Sequence, residues 1–167
     1  MRTLKIRRMG INYKPIGIIR TPFTRIEDMP IQPAGAGGIG GVVEVYREYV
    51  DGLKDLEGFS HLILLYHFHR IRGFRLNVEP FLDSQQRGIF ATRAPKRPNP
   101  IGLSVVKLLS IDGRTVRIEN VDMVDGTPLL DIKPYVPEFD ALTAVRTGWL
   151  ERARGAASRK RSDKRFT

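Results

Sequence analysis

The apolar positions of this chain fall in six or seven short runs separated by turn residues. Tyr13–Arg20 (YKPIGIIR) predicts a first strand, and Val42–Tyr49 (VVEVYREY), rich in β-branched and aromatic residues, a second. His61–His69 (HLILLYHFH) predicts an apolar strand buried on both faces near its middle. Gly88–Thr92 predicts a short strand, and Pro128–Lys133 another. Gly102–Ile111 and Thr115–Glu119 predict a hairpin across Asp112-Gly113, a dipeptide that favours a type I′ turn. Thr21–Ala36, with three prolines, and the polar Ile71–Gln86 read as loops, and Asp51–Phe59 as a short helical turn. A helix is expected over Leu142–Arg154, weakened by Gly148, with a disordered tail beyond it. Short strands joined by turns predict a mainly β fold, a single-domain antiparallel β-barrel. It would span residues 13–140, after a basic N-terminal arm at 1–12 and before a C-terminal helix and basic tail at 141–167.

Composition narrows the possibilities. A chain of 167 residues can bury roughly 70% of its unfolded surface, and 41% hydrophobic residues supply a core. The absence of cysteine excludes disulfides, thiolate metal sites and cysteine nucleophiles. The first 30 residues hold no signal-like apolar run, and Leu62–Phe68 is too short to span a bilayer. A cytoplasmic location with no membrane partner is therefore expected.

The net charge of +10 lies at the ends. Met1–Lys14 carries five basic residues and no acid, and Glu151–Thr167 carries seven basic residues and two acids, which leaves a body near neutral. Basic ends on a neutral body suit a polyanionic partner such as nucleic acid.

Gly35-Ala-Gly37-Gly-Ile-Gly40 matches the spacing of a dinucleotide fingerprint. That motif must follow a strand and open a helix, whereas here a loop precedes it and a strand follows, so a plain glycine loop is expected. His67 and His69 share a strand face, but no third ligand cluster accompanies them, so no metal site is expected. A histidine at the strand end would instead bond a ligand or a backbone group.

The densest feature is Phe90–Ser104 (FATRAPKRPNPIGLS). Arg87–Lys107 holds five basic residues and no acid. Pro98 and Pro100 stiffen the loop and push Arg97 and Asn99 into extended conformations. Arg93, Lys96 and Arg97 are thereby displayed for phosphate or carboxylate, unless the loop is only a structural turn with solvated charges. The second feature is Asp122–Tyr135, in which Asp122, Asp125 and Asp131 alternate with apolar residues around a Gly-Thr-Pro turn. These carboxylates can hold a ribose diol, a cation or an amine, or merely cap turns.

Together the two segments resemble the TrmO family, also called TsaA-like or YaeB-type proteins. GFSHLILLYHFH (Gly58–His69), PIGIIRTPF (Pro15–Phe23) and the Gln32-Pro33 pair match as well, so the resemblance covers roughly Tyr13–Asp140. It implies a homodimeric β-barrel methyltransferase that uses S-adenosyl-L-methionine. The implied reaction is methylation of N6 of threonylcarbamoyl-adenosine in the tRNA anticodon loop. The implied cofactor contacts are Gln32, Pro33, Ala34, Phe68, His69, Arg93, Leu103 and the run Asp122, Met123, Val124 and Asp125. Lys96, Arg97 and Asn99 would face RNA, and Asp125 and His69 are candidates for the proton acceptor. The alternatives are a non-catalytic RNA-binding barrel and a sensor that binds the cofactor without transferring its methyl group.

Overall fold

The computed structural model describes residues 10–27, 29–153, 155 and 160–166. Most of the expected N-terminal arm, and Arg154 and Arg159 of the tail, lie outside these residues. The described strands are β1 (Gly17–Arg20), β2 (Gly40–Val45), β3 (His61–His67), β4 (Asn77–Val78), β5 (Arg87–Gly88), β6 (Ile101–Asp112), β7 (Thr115–Glu119) and β8 (Thr127–Pro134). Six of them close into an antiparallel barrel in the order β1-β2-β7-β6-β3-β8, and β4 pairs with β5 apart from it.

Alternation along each strand builds the interior. Leu62, Leu64 and Tyr66 of β3 point inward, and Val106, Val116, Ile118, Val43, Val45, Ile19 and Leu129 meet them from the other strands. Each such side chain contributes roughly 1.5–3 kcal/mol by leaving water. Ile63 and Leu65 are only half-buried, so β3 is not buried on both faces as its apolar run suggested. In a closed barrel only one face of a strand fills the interior. The register shifts opposite Leu65/Tyr66, where β8 carries an extra residue, and at Leu108/Ser110, where β6 does, which bends β8 and β6 to close the wall.

Several local expectations are corrected. In the hairpin, Asp112 pairs with Thr115, so the turn residues are Gly113 and Arg114. Gly113 has φ +56 and Arg114 is not among the positive-φ residues, a pattern of type II′ rather than I′. β2 ends at Val45, and Arg47–Leu53 turns as a 3-10 helix. Of Gly88–Thr92 only Gly88 is in a strand, and Ile89–Ala91 is a 3-10 turn. The C-terminal helix is reduced to a 3-10 segment at Gly148–Ala153, because Ala144 (φ +56) and Gly148 (φ +58) leave the right-handed helical region.

The described part of the tail is packed rather than loose. Phe166 is buried with Val78, Ile89 and Ala94, its ring edge-on to Phe81 at 5.1 Å. Ser162 N donates to Met29 O at 2.7 Å, and Arg161 Nη1 to Gly35 O at 2.7 Å. The segment thus lies along the loop that carries Gln32.

Candidate functional site

β1 and β3 finish, and β6 and β8 begin, at the same end of the barrel. A cleft of about 870 Å³ opens there, within the usual size range of small-molecule sites.

Its floor comes from the segment between β7 and β8. Val121, Asp122, Met123 and Val124 are all buried, which is unusual for a loop. The backbone accounting explains how. Val121 N donates to Ile39 O, Thr21 Oγ1 to Met123 O at 2.8 Å, Thr127 Oγ1 to Val124 O at 2.6 Å, and Asp125 N to Phe23 O at 2.7 Å. The extension of β1 past Arg20, the segment before β2 and the start of β8 together supply the partners that a buried loop needs.

This anchoring separates the aspartates. Asp125 Oδ1 accepts from Thr21 N at 3.1 Å, its Oδ2 lies 3.8 Å from Arg20 Nη1, and it is not part of the cleft lining. Asp122 lines the cleft and is buried. Ser104 Oγ donates to Asp122 Oδ1 at 2.6 Å, and Tyr66, 3.0 Å away, donates to Ser104 Oγ in turn. Burial pushes the Asp122 carboxyl up to about 7, against the pull of the Ser104 bond and the Arg93 charge. Burial first, and then the Asp122 charge, hold the Tyr66 hydroxyl far above the usual phenol range. The Tyr66 ring occupies the space over Gly102, its cross-strand neighbour, where a Cβ would fall within the ring.

The other walls are apolar with cationic corners. Phe68 stands edge-on to Tyr66 at 5.5 Å, and its N–H donates to Pro100 O at 2.8 Å, tying the end of β3 to the proline loop. Leu103 and Met123 add apolar surface. Arg93 is exposed and its Nη1 donates to Gln32 Oε1 at 3.2 Å. His69 lies beside Phe68, its imidazole pushed below the ordinary histidine range by burial and then by Arg70 and His67.

Gln32, Phe68, His69, Arg93, Leu103, Asp122, Met123 and Val124 are thus brought together. Pro33 and Ala34 follow Gln32 in a 3-10 turn, Pro33–Gly35, and are outside the lining. Lys96 borders a second hollow with Arg75 and Arg165, and Asn99 is exposed. Arg97 is not simply displayed: its Nη1 donates to the carbonyls of Thr92 at 2.8 Å, Ile89 at 3.2 Å and Ala94 at 3.3 Å, which holds the loop in shape. The glycine loop Gly35–Gly40 opens β2, with Gly38 at φ +77 and its N–H on Asn120 Oδ1, and so has no helix to bind a pyrophosphate.

Tyr66, Ser104 and Trp149 were not singled out by sequence reasoning. Ser104 carried a signal nonetheless, since alternation from Gly102 through Val106 puts this polar residue on the inward face. The Trp149 indole N–H donates to Ala91 O at 2.8 Å, a contact across 58 positions that no local pattern reveals.

Fold and site define a class: a small antiparallel barrel with an apolar cleft flanked by a guanidinium and a buried carboxylate. Residues 18–141 match the family described as the tRNA-methyltransferase O N-terminal domain, and the chain belongs to this TrmO family. It is 56% identical over 156 residues to a probable S-adenosyl-L-methionine-binding protein of Pyrococcus abyssi, covering 93% of this chain and 85% of that one. It is 35% identical over 157 residues to the tRNA (adenine(37)-N6)-methyltransferase of Escherichia coli, covering 88% and 67%. The solved TrmO structure from Pseudomonas aeruginosa superposes with a TM-score of 0.71 at 39% identity. That match covers 84% of this chain and 63% of the solved one, so the chain spans less than two thirds of that relative.

Proposed function

We propose that this protein transfers the methyl group of S-adenosyl-L-methionine to N6 of adenosine, in the threonylcarbamoylated form, in a tRNA anticodon loop. The observation that carries the reading is the donor set of the cleft: Arg93 with Gln32 on one side, the buried Asp122 on another, and apolar walls between. The residues present fit the cofactor. A guanidinium suits its carboxylate, a carboxylate suits its ammonium or ribose hydroxyls, and Phe68, Leu103 and Met123 suit its apolar and aromatic surfaces. When bound, it supplies an electrophilic methyl group on a sulfonium.

The chain's own residues position the acceptor and take its proton, since an in-line displacement depends on alignment. Of the two acceptor candidates, His69 is favoured because it lines the cleft and its lowered pKa keeps it neutral. Asp125, engaged by Thr21 and Arg20, is better suited to holding the loop that bears Asp122. Lys96 and Asn99 would meet the RNA backbone, and the basic residues of both ends would add salt-dependent attraction. A homodimer working in the cytoplasm completes the reading.

Labelled-methyl transfer tests it. The protein should methylate tRNA that carries the threonylcarbamoyl group, at the adenosine next to the anticodon. Cofactor binding without transfer would support the sensor reading. RNA binding without cofactor binding would support the RNA-binding module.

A further inference from the structure

Phe90 is 75% exposed, although its neighbour Ile89 is 1% exposed. Both belong to one 3-10 turn, where successive side chains point about 120° apart, so anchoring Ile89 in the apolar cluster below drives Phe90 outward. The ring is not an isolated surface residue. Ile101, Leu103 and Leu150, at 38%, 45% and 40% exposed, line the same cleft and form an open apolar patch with it.

The cations around the patch are placed. The Arg97 guanidinium lies 5.9 Å from the centre of the Phe90 ring, held there by its three carbonyl bonds. Next to Phe90, the Ala91 carbonyl accepts from the Trp149 indole, and the Arg87 guanidinium lies 5.8 Å from that ring. Arg70, Arg93 and Arg97 line the cleft, with Asp122 as the one carboxylate among the described lining residues. An exposed aromatic face with a fixed cation, inside a cation-rich opening, is the chemistry that receives an unstacked base and its phosphate.

We propose that the Phe90 ring is the platform on which an unpaired base of the substrate RNA stacks as it enters the cleft, with Arg97 fixing the ring. The proposal rests on the reading of the protein as an RNA methyltransferase. The platform itself, Phe90 held by Arg97, uses none of the residues assigned to the cofactor.

The experiment compares the full chain with Phe90→Tyr, Phe90→Leu and Phe90→Ala. Each is titrated with a single-stranded RNA oligonucleotide carrying 2-aminopurine between adenosines, and separately with S-adenosyl-L-methionine by calorimetry. Because Phe90 is exposed, none of the changes leaves a core cavity, and thermal melting should be the same for all four proteins. Wild type and Phe90→Tyr should bind the RNA alike, and the 2-aminopurine fluorescence should change as the base leaves its stacked adenosine neighbours. Phe90→Leu and Phe90→Ala should lose that change and bind roughly 5- to 150-fold more weakly. Cofactor affinity should be the same in all four. The platform is refuted if Phe90→Leu binds and changes the fluorescence like wild type, or if cofactor affinity falls in step with RNA affinity. A wild-type protein that neither binds the cofactor nor methylates tRNA would instead overturn the function on which the proposal rests.

Discussion

The hydroxyl of Ser104 donates a 2.6 Å hydrogen bond to Asp122, joining a barrel strand to the loop that caps the barrel. Tyr66 completes the chain at 3.0 Å, so a carboxyl buried among Val121, Met123 and Val124 keeps a fixed orientation toward the cleft. Bonds to a charged acceptor contribute about 1.5–3 kcal/mol, more than a neutral pair.

Asp122 should make stability depend on pH. Its folded pKa of about 7 lies above the ordinary carboxylate value, so the folded protein binds the proton more tightly than the unfolded chain. Stability should fall as pH rises between about 4 and 7, and level off above that. Asp122→Asn keeps an acceptor for Ser104 but cannot ionise. Its melting temperature relative to wild type should climb across that window, and a difference that stays flat with pH would show that Asp122 does not titrate there.

Gly102→Ala should be more damaging than a surface change in a strand. The added methyl meets the Tyr66 ring, which cannot move without disturbing its contacts with Ser104 and Phe68. A cost of about 1–3 kcal/mol is expected in denaturant unfolding, as for other overpacked sites. Cofactor affinity should fall with it, because the displaced ring lines the cleft.

Arg97→Ala and Lys96→Ala should separate shape from charge. Loss of Arg97 frees three loop carbonyls and should lower stability by about 1.5–3 kcal/mol, measured by urea unfolding. Lys96→Ala should reduce the salt dependence of RNA binding by about one ion. Equal effects of the two on the salt slope, with no loss of stability for Arg97→Ala, would return Arg97 to a purely electrostatic role.

His69 should set the acid limb of the single-turnover rate. Its lowered pKa keeps it able to accept a proton below the pH where an ordinary histidine is protonated. The acid limb should therefore lie at lower pH than an ordinary histidine would give. His69→Ala should slow transfer by roughly 10²–10⁴-fold and remove that limb. An unchanged pH profile in His69→Ala would exclude it as the acceptor.

Trp149→Phe tests the fold-back of the C-terminal segment. It removes the indole N–H bonded to Ala91 O and leaves a smaller ring under Arg87, and should cost about 0.5–1.5 kcal/mol in thermal or urea unfolding. A fully solvated segment would show no loss.

Much of the barrel was legible because its strands are short, alternate cleanly and end in turn residues. The runs around Ile19, Val43, Leu64, Val106 and Val116 were found on those grounds. The ends of elements were less legible. Whether Tyr46 continues a strand or starts a 3-10 turn depends on where β2 runs out of a partner on β1, and that is a long-range matter. The site was legible as two motifs, Phe90–Ser104 and Asp122–Tyr135, since both pack unusual residue types into few positions.

The sequence by itself determined the fold class, the family and the residue types available to the cleft, because these depend on local alternation and motif content. Only the tertiary structure decided how those residues are used. Asp122 faces the cleft while Asp125, three positions on, faces Thr21, because the two carboxylates meet donors from different elements, Ser104 of β6 and Thr21 just past β1. Ser104 became a partner of Asp122 through closure of the barrel, and Arg97 turned onto its own loop because three carbonyls converge there. The bond between Ser104 and Asp122 spans 18 positions, and neither residue's neighbours specify it. A hydrogen bond depends on distance and direction in space, and sequence order fixes neither until the barrel has closed.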